Sequence, residues 1–130
     1  MAVQGMNHFT ILTDNVEATR AFYCELLDFE VGDRPPFNFP GLWLYKGGIP
    51  ILHVIGGRKR EDLRNGVLDH MAFTATGLAD TVALLKRHGI EYLLRRVAST
   101  SDGGWQLFFN DPNGAKVEFD FDAREPAPAL

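Results

Sequence analysis

A chain of 130 residues that is 45 % hydrophobic and 23 % charged has enough apolar material for one respectable core. Its net charge of −4 gives no electrostatic footprint for nucleic acid, and no run approaches the ~20 apolar residues of a membrane span. A single cysteine, Cys24, excludes an internal disulfide and any cysteine-based zinc cluster.

The opening "MAVQGMNHF" has neither the basic end nor the apolar run of a signal peptide, so a cytoplasmic location is expected. "NHFTIL" reads as a strand led by His8. An amphipathic helix over about 15–28 follows, with Val16, Phe22, Tyr23, Leu26 and Leu27 near one side. Cys24 falls inside it as a small buried residue. Three strand-like runs come next, "FEVGDR", "GLWLYK" and "IPILHVIG", the last two joined by a tight "KGG" turn. The charged segment "GGRKREDLRNG" reads as a solvated linker.

"NGVLDHMAFTATG" reads as a buried strand opened by a turn, with His70 at its centre. A helix over about 78–88 buries Leu78, Val82, Leu84 and Leu85 and stops at Gly89, with His88 as a surface cap in its last turn. The strands "IEYLLRRV", "GWQLFFN" and "AKVEFDF" complete the pattern, the last two joined by "DPNG". The tail "DAREPAPAL" reads as disordered.

The two halves repeat. Laying His8 on His70 brings Val16 onto Leu78, Ala21 onto Ala83 and Phe22 onto Leu84, and each copy opens with a polar residue, a histidine and an apolar strand. Three extra residues in the second half shift the later register, so that His53 falls on Glu118, Leu44 on Phe109 and Leu42 on Leu107. The chain therefore reads as βαβββ twice, an α+β protein. Module one covers about 5–56, a linker 57–66, module two about 67–122, and a tail 123–130.

Strand alternation puts His8 on the face of Met6, Thr10 and Leu12, and Glu118 on a polar face with Lys116 and Asp120, opposite Val117, Phe119 and Phe121. A lone histidine in a strand is most simply a core residue tied to a carbonyl. Repeat-related histidines opposite a carboxylate point elsewhere. Under a pseudo-twofold relation, His8, His53, His70 and Glu118 become four potential ligands converging from four strands. Two imidazoles and a carboxylate suit Fe, Mn, Ni or Zn with positions left open for substrate.

The stretches "NHFTILTDNVEATRAFYCELLDFEV", "LDHMAF" and "FFNDPNGAKVEF" carry a resemblance over nearly the whole chain. It resembles the vicinal oxygen chelate superfamily, which holds glyoxalases, extradiol dioxygenases, fosfomycin-resistance enzymes, methylmalonyl-CoA epimerases and bleomycin-binding proteins. The resemblance implies paired βαβββ modules forming a curved mixed sheet around one divalent metal per site. By motif position His8, His70 and Glu118 match the metal ligands. His53 stands where glyoxalases place a fourth, carboxylate or amide ligand, and where ring-cleaving dioxygenases carry a non-ligand histidine.

A glyoxalase-like lyase or isomerase usually offers two carboxylates, and this chain has Glu118 but His53 in the other place. The reading therefore leans to extradiol-dioxygenase-like chemistry, with His53 and Glu118 as catalytic residues, although Phe108 stands where those dioxygenases carry tyrosine. Fosfomycin-modifying relatives share Thr10, but Ala98, Asp102, Gln106 and Phe108 replace their lysine, serines and tyrosine. A non-catalytic bleomycin-like binding protein is the alternative of another class. The loop "RPPFNFPGLW" supplies an aromatic wall, so Thr10, Phe37, Phe39, Trp43 and Phe108 are the expected substrate contacts, or else the loop merely covers a sheet edge. A small-molecule substrate, no nucleic acid, no membrane and a homodimer are expected, with His8 and His53 meeting His70 and Glu118 of the other subunit.

Overall fold

The computed structural model describes residues 4–64, 66, 68–96 and 104–129. The expected comparison positions Ala98 and Asp102, and Asn65, Val67 and Val97 at the ends of expected strands, lie outside them. The chain divides into two compact units, residues 1–64 and 65–130. Among the described residues no helix is long and apolar enough to cross a membrane.

In the first unit β1 (Phe9–Leu12) leads to α1 (Val16–Arg20), a π-helical turn (Ala21–Leu26), β2 (Glu30–Gly32), β3 (Gly41–Lys46) and β4 (Ile49–Ile55). The sheet order is β1-β4-β3-β2, with β1 parallel to β4 and the other pairs antiparallel. Alternation holds as expected: Ile11, Leu44, Leu52 and Val54 are buried on one face, while Thr10 and Leu12 are exposed on the other. Asn15 caps α1 by accepting from the Ala18 amide at 2.9 Å. The buried hydroxyls of Thr13 and Thr19 satisfy each other at 2.9 Å.

The second unit repeats the plan with β5 (Met71–Thr74), α2 (Leu78–Arg87), β6 (Tyr92–Arg96), β7 (Trp105–Asn110) and β8 (Lys116–Phe121), ordered β5-β8-β7-β6. The repeat is kept in the register of the strands. Thr10 pairs with His53 as Ala72 pairs with Glu118, and Trp43 pairs with His53 as Phe108 pairs with Glu118. Leu78, Val82 and Leu85 of α2 are buried, as are Leu107, Phe109, Val117 and Phe121 of the sheet.

Three expectations change. The continuous helix over 15–28 is instead α1 followed by a π turn, in which the Leu27 amide bonds back to the Phe22 carbonyl at 3.2 Å. Its cause is visible in the repeat. The first helix closes with Phe29 N to Tyr23 O, the second with Ile90 N to Leu85 O, so the first copy carries one more residue and absorbs it by widening. Asp28 (φ 66°) then takes the left-handed position that Gly89 (φ 66°) takes after α2.

Second, His70 does not sit inside a buried strand. It immediately precedes β5 and is exposed, as is Leu68, while Ala72 and Thr74 point to the open face. The run is half-buried, and its apolar letters on that side are small.

Third, the tail does not behave as a disordered segment. α2 begins at Gly77, which has no side chain to cap it, and the Glu125 carboxylate accepts from the Gly77 amide at 3.0 Å and the Leu78 amide at 2.7 Å. Trp105 Nε1 donates to the Glu125 carbonyl at 3.0 Å, and Arg96 donates to the Ala123 carbonyl at 3.1 Å. These partners are distant in sequence, so no local pattern announces them.

Candidate functional site

Each unit brings two of the four expected donors together. In the first, His8 leads β1 and His53 lies in β4. Their rings stack at 3.8 Å between centroids with a 16° interplanar angle, and Trp43 stacks on His53 at 3.9 Å and 8°. The order Trp43–His53–His8 follows from the sheet, because Trp43 is the cross-strand partner of His53 on β3. His53 Nε2 lies 3.1 Å from the Pro50 carbonyl. A carbonyl can only accept, so Nε2 carries the proton and Nδ1 holds the lone pair of the neutral ring. Burial, and next the charge of His8, push the His53 pKa below its ordinary 6.5.

In the second unit His70 Nε2 stands 3.2 Å from Glu118 Oε1. Glu118 is 6 % exposed, and the face expected to be wet therefore holds a largely desolvated carboxylate. Desolvation raises its pKa first, and the neighbouring Asp120 carboxyl adds to the effect. Gln106 Nε2 reaches Glu118 Oε2 at 3.4 Å and is itself fixed by Arg95 Nε, which donates to Gln106 Oε1 at 2.8 Å. Arg95 also lies over the Phe108 ring, 5.1 Å from its centroid, and His70 meets the edge of that ring at 6.1 Å. A cavity of about 480 Å³ opens here, with His70, Phe108, Glu118 and Arg95 in its lining.

Both histidines that lead a strand are held alike. His70 Nδ1 is 2.7 Å from Asp69 Oδ2, and His8 Nδ1 is 2.6 Å from Asn7 Oδ1. These oxygens accept, so each Nδ1 donates and each Nε2 is left as the donor atom for a cation. An imidazole whose second nitrogen is tied to an oxygen is the usual arrangement of a metal-ligating histidine. Hydrogen bonds from His70 and then Lys116 hold the Asp69 carboxyl below its ordinary value. Nε2 of His70 and the Glu118 carboxylate face one another across a gap that accepts one cation, a proton or a metal ion. The donor chemistry of His8, His70 and Glu118 thus fits a divalent metal, although among the described residues no group of three or more His, Cys, Asp or Glu gathers at one point.

Thr10, Phe37, Phe39 and Trp43 of the first unit, expected as substrate contacts, line one cavity with His53. Phe108, the fifth, lines the cavity of the second unit. Cys24 is half-buried and its thiol is pushed up by burial, as suits an inert packing residue. Sequence reasoning passed over Gln106, Arg95 and Arg34 as site residues. Asn7 and Asp69 were visible as the repeated polar residue before each histidine, and their role was the missing step.

Two βαβββ units, each with a histidine at the head of its first strand and a polar or aromatic face on its third and fourth sheet strands, define a two-module protein of the glyoxalase/dioxygenase type. Residues 5–119 match the model of the Glyoxalase/Bleomycin resistance protein/Dioxygenase superfamily, and the chain belongs to that superfamily. It is 31 % identical over 120 residues to Glyoxylase I 4 of Arabidopsis thaliana, covering 88 % of this chain and 68 % of that protein. A glyoxalase family protein from Enterococcus faecalis has a similar structure, with a TM-score of 0.68 at 31 % identity over 90 % of this chain and 97 % of the other. A protein from Bacillus anthracis assigned to the glyoxalase family shares the fold at a TM-score of 0.75 and 22 % identity, over 94 % and 98 % of the two chains.

Proposed function

We propose that the chain is a metal-dependent enzyme that chelates two neighbouring oxygens of a small substrate, with His8, His70 and Glu118 holding one divalent ion. The carrying observation is the buried Glu118 carboxylate set against His70 Nε2 at 3.2 Å. When bound, the ion supplies Lewis-acid polarisation of the chelated oxygens. Glu118 then serves a proton transfer, taking a proton from one substrate carbon and returning it to the next. Gln106 and Arg95 hold that carboxylate in place.

This favours a glyoxalase-like lyase or isomerase, and the similarity to Glyoxylase I 4 supports the same class. Extradiol-dioxygenase-like chemistry is the second reading. It is favoured by one observation, the neutral His53 ring stacked on His8 with Nδ1 free to accept a proton. The protein works as a homodimer, each site drawing His8 and His53 from one subunit and His70 and Glu118 from the other.

Protein purified without added chelator or metal is assayed for bound ions, for isomerisation of the thiol adduct of a 2-oxoaldehyde, and for oxygen uptake with a panel of catechols. Nickel or zinc with isomerase activity is the expected result. Iron or manganese with oxygen uptake moves the assignment to the second reading, and absence of any stoichiometric divalent ion sinks both. Mixing inactive His8→Ala and His70→Ala proteins tests the shared site, because hybrid dimers regain one complete set of ligands. A strictly monomeric protein removes the shared-site proposal.

A further inference from the structure

The β2–β3 loop of the first unit brings Phe37 and Phe39 beside the Trp43–His53 stack. The two phenyl rings stack 5.0 Å apart at 15°, and Phe37 lies 6.4 Å from Trp43. With Thr10 they bound a cavity of about 200 Å³. That is below the ~300–1,000 Å³ of drug-sized pockets, and its walls are flat π faces, so its size and shape suit one compact planar ligand.

One cation enters this apolar box. The Arg34 guanidinium carbon lies 5.1 Å from the Phe37 centroid and 5.0 Å from that of Phe39, and Nη2 donates to the Phe39 carbonyl at 2.8 Å. Gly41 leaves the room: a Cβ there would lie 3.2 Å from Arg34 Nη2 and run into the Val54 carbonyl. A guanidinium has five N–H donors, and that carbonyl accounts for one. No carboxylate pairs with Arg34 among the described residues. The ring faces hold the group in place without neutralising it.

We propose that this pocket binds a flat aromatic monocarboxylate, its ring against Phe37, Phe39 and Trp43 and its carboxylate on the unpaired N–H edge of Arg34. The planar fork of arginine matches a carboxylate by two parallel hydrogen bonds. One unpaired cation beside the aromatic walls balances one negative charge. The proposal assigns a ligand site in the first unit and does not rest on the metal-enzyme reading above. Binding itself uses the first unit's own residues.

The test uses the full chain, metal-free, titrated with benzoate and with benzamide, which has the same ring and no charge, and followed by calorimetry and by the Trp43 indole resonance. Benzoate is expected to bind at least tenfold more tightly than benzamide and to shift Trp43. Arg34→Gln should abolish the preference, Arg34→Lys should keep part of it, and Phe37→Ala should weaken both ligands. Circular dichroism confirms that each variant is folded. Equal binding of the two probes, no binding of either, or a preference that survives Arg34→Gln overturns the proposal. If the preference holds while alanine at His8, His70 and Glu118 leaves metal content unchanged, the pocket stands and the metal-site reading falls. The converse result separates them the other way.

Discussion

Nε2 of His70 lies 3.2 Å from Oε1 of Glu118, an imidazole at the solvent edge of the second unit set against a carboxylate that is almost completely buried. A buried carboxylate with its proton affinity raised by desolvation is costly to ionise, and a cation shared with His70 offsets that cost. The expected outcome of His70→Ala or Glu118→Ala is a loss of divalent-metal affinity exceeding the 10–100-fold typical of outer-shell partners. His8→Ala should behave alike. His8 and His70 are exposed and Glu118 borders a cavity, so the variants should keep the far-ultraviolet spectrum of the parent. Metal titration of the three proteins checks this, and undiminished stoichiometric binding by all of them would sink the ligand assignment.

The residue ahead of each leading histidine gives a milder expectation. Asp69 and Asn7 each accept from Nδ1, at 2.7 and 2.6 Å, and so leave Nε2 unprotonated in the neutral ring. Asp69→Ala and Asn7→Ala free the ring to rotate and to exchange tautomers. Metal affinity should fall by roughly 10–100-fold in each. Nitrogen chemical shifts of the labelled metal-free protein would report the tautomers directly. A wild-type tautomer ratio in both variants would contradict the positioning role.

Much of this was legible from the letters because the repeat constrains it twice. The match of His53 with Glu118 in sequence reappears as matching strand partners, Thr10 and Trp43 for one, Ala72 and Phe108 for the other. Alternation identified the exposed face of β1, while on β8 it placed Val117 and Phe121 in the buried set but not Glu118, and Phe119 is only half-buried. What failed had a different physical origin. The extra residue in the first helix changes no hydrophobic period, yet it forces a π turn and a left-handed Asp28. The burial of Glu118 depends on Gln106 and Phe108 of the neighbouring strand, and the order of the tail depends on Glu125 meeting a helix start far back in the sequence. Such contacts are set by tertiary structure.

That tail contact predicts a stability effect. Gly77 provides the left-handed turn into α2 (φ 82°) but no cap, and Glu125 replaces the missing side chain with two backbone amide partners. A carboxylate at a helix N-terminus also opposes the helix dipole. Glu125→Ala should therefore cost about 1–2 kcal/mol, in the range of a lost N-cap. Urea denaturation measures it. A midpoint unchanged from wild type would show that the contact contributes nothing.

His53 separates the two enzymatic readings and has its own pH signature. Burial is the larger cause of its lowered pKa and the charge of His8 the smaller, so its titration midpoint in metal-free protein should fall below 6.5. His8→Ala should move that midpoint toward 6.5 without reaching it. The unfolded chain binds this proton more tightly than the folded one, so the stability that His53 contributes as a neutral ring is present above pH 6.5. It declines as the pH falls from there toward the folded value. Proton resonances of the imidazole, followed from neutral to acid pH, give both midpoints. With Nε2 held by the Pro50 carbonyl, the available base is Nδ1. A positioned base contributes roughly 10²–10⁴-fold to turnover, so His53→Ala should lose that much activity while retaining its metal. Loss of metal together with activity would instead make His53 a fourth ligand through Nδ1, with the Pro50 hydrogen bond kept as the contact that orients the ring.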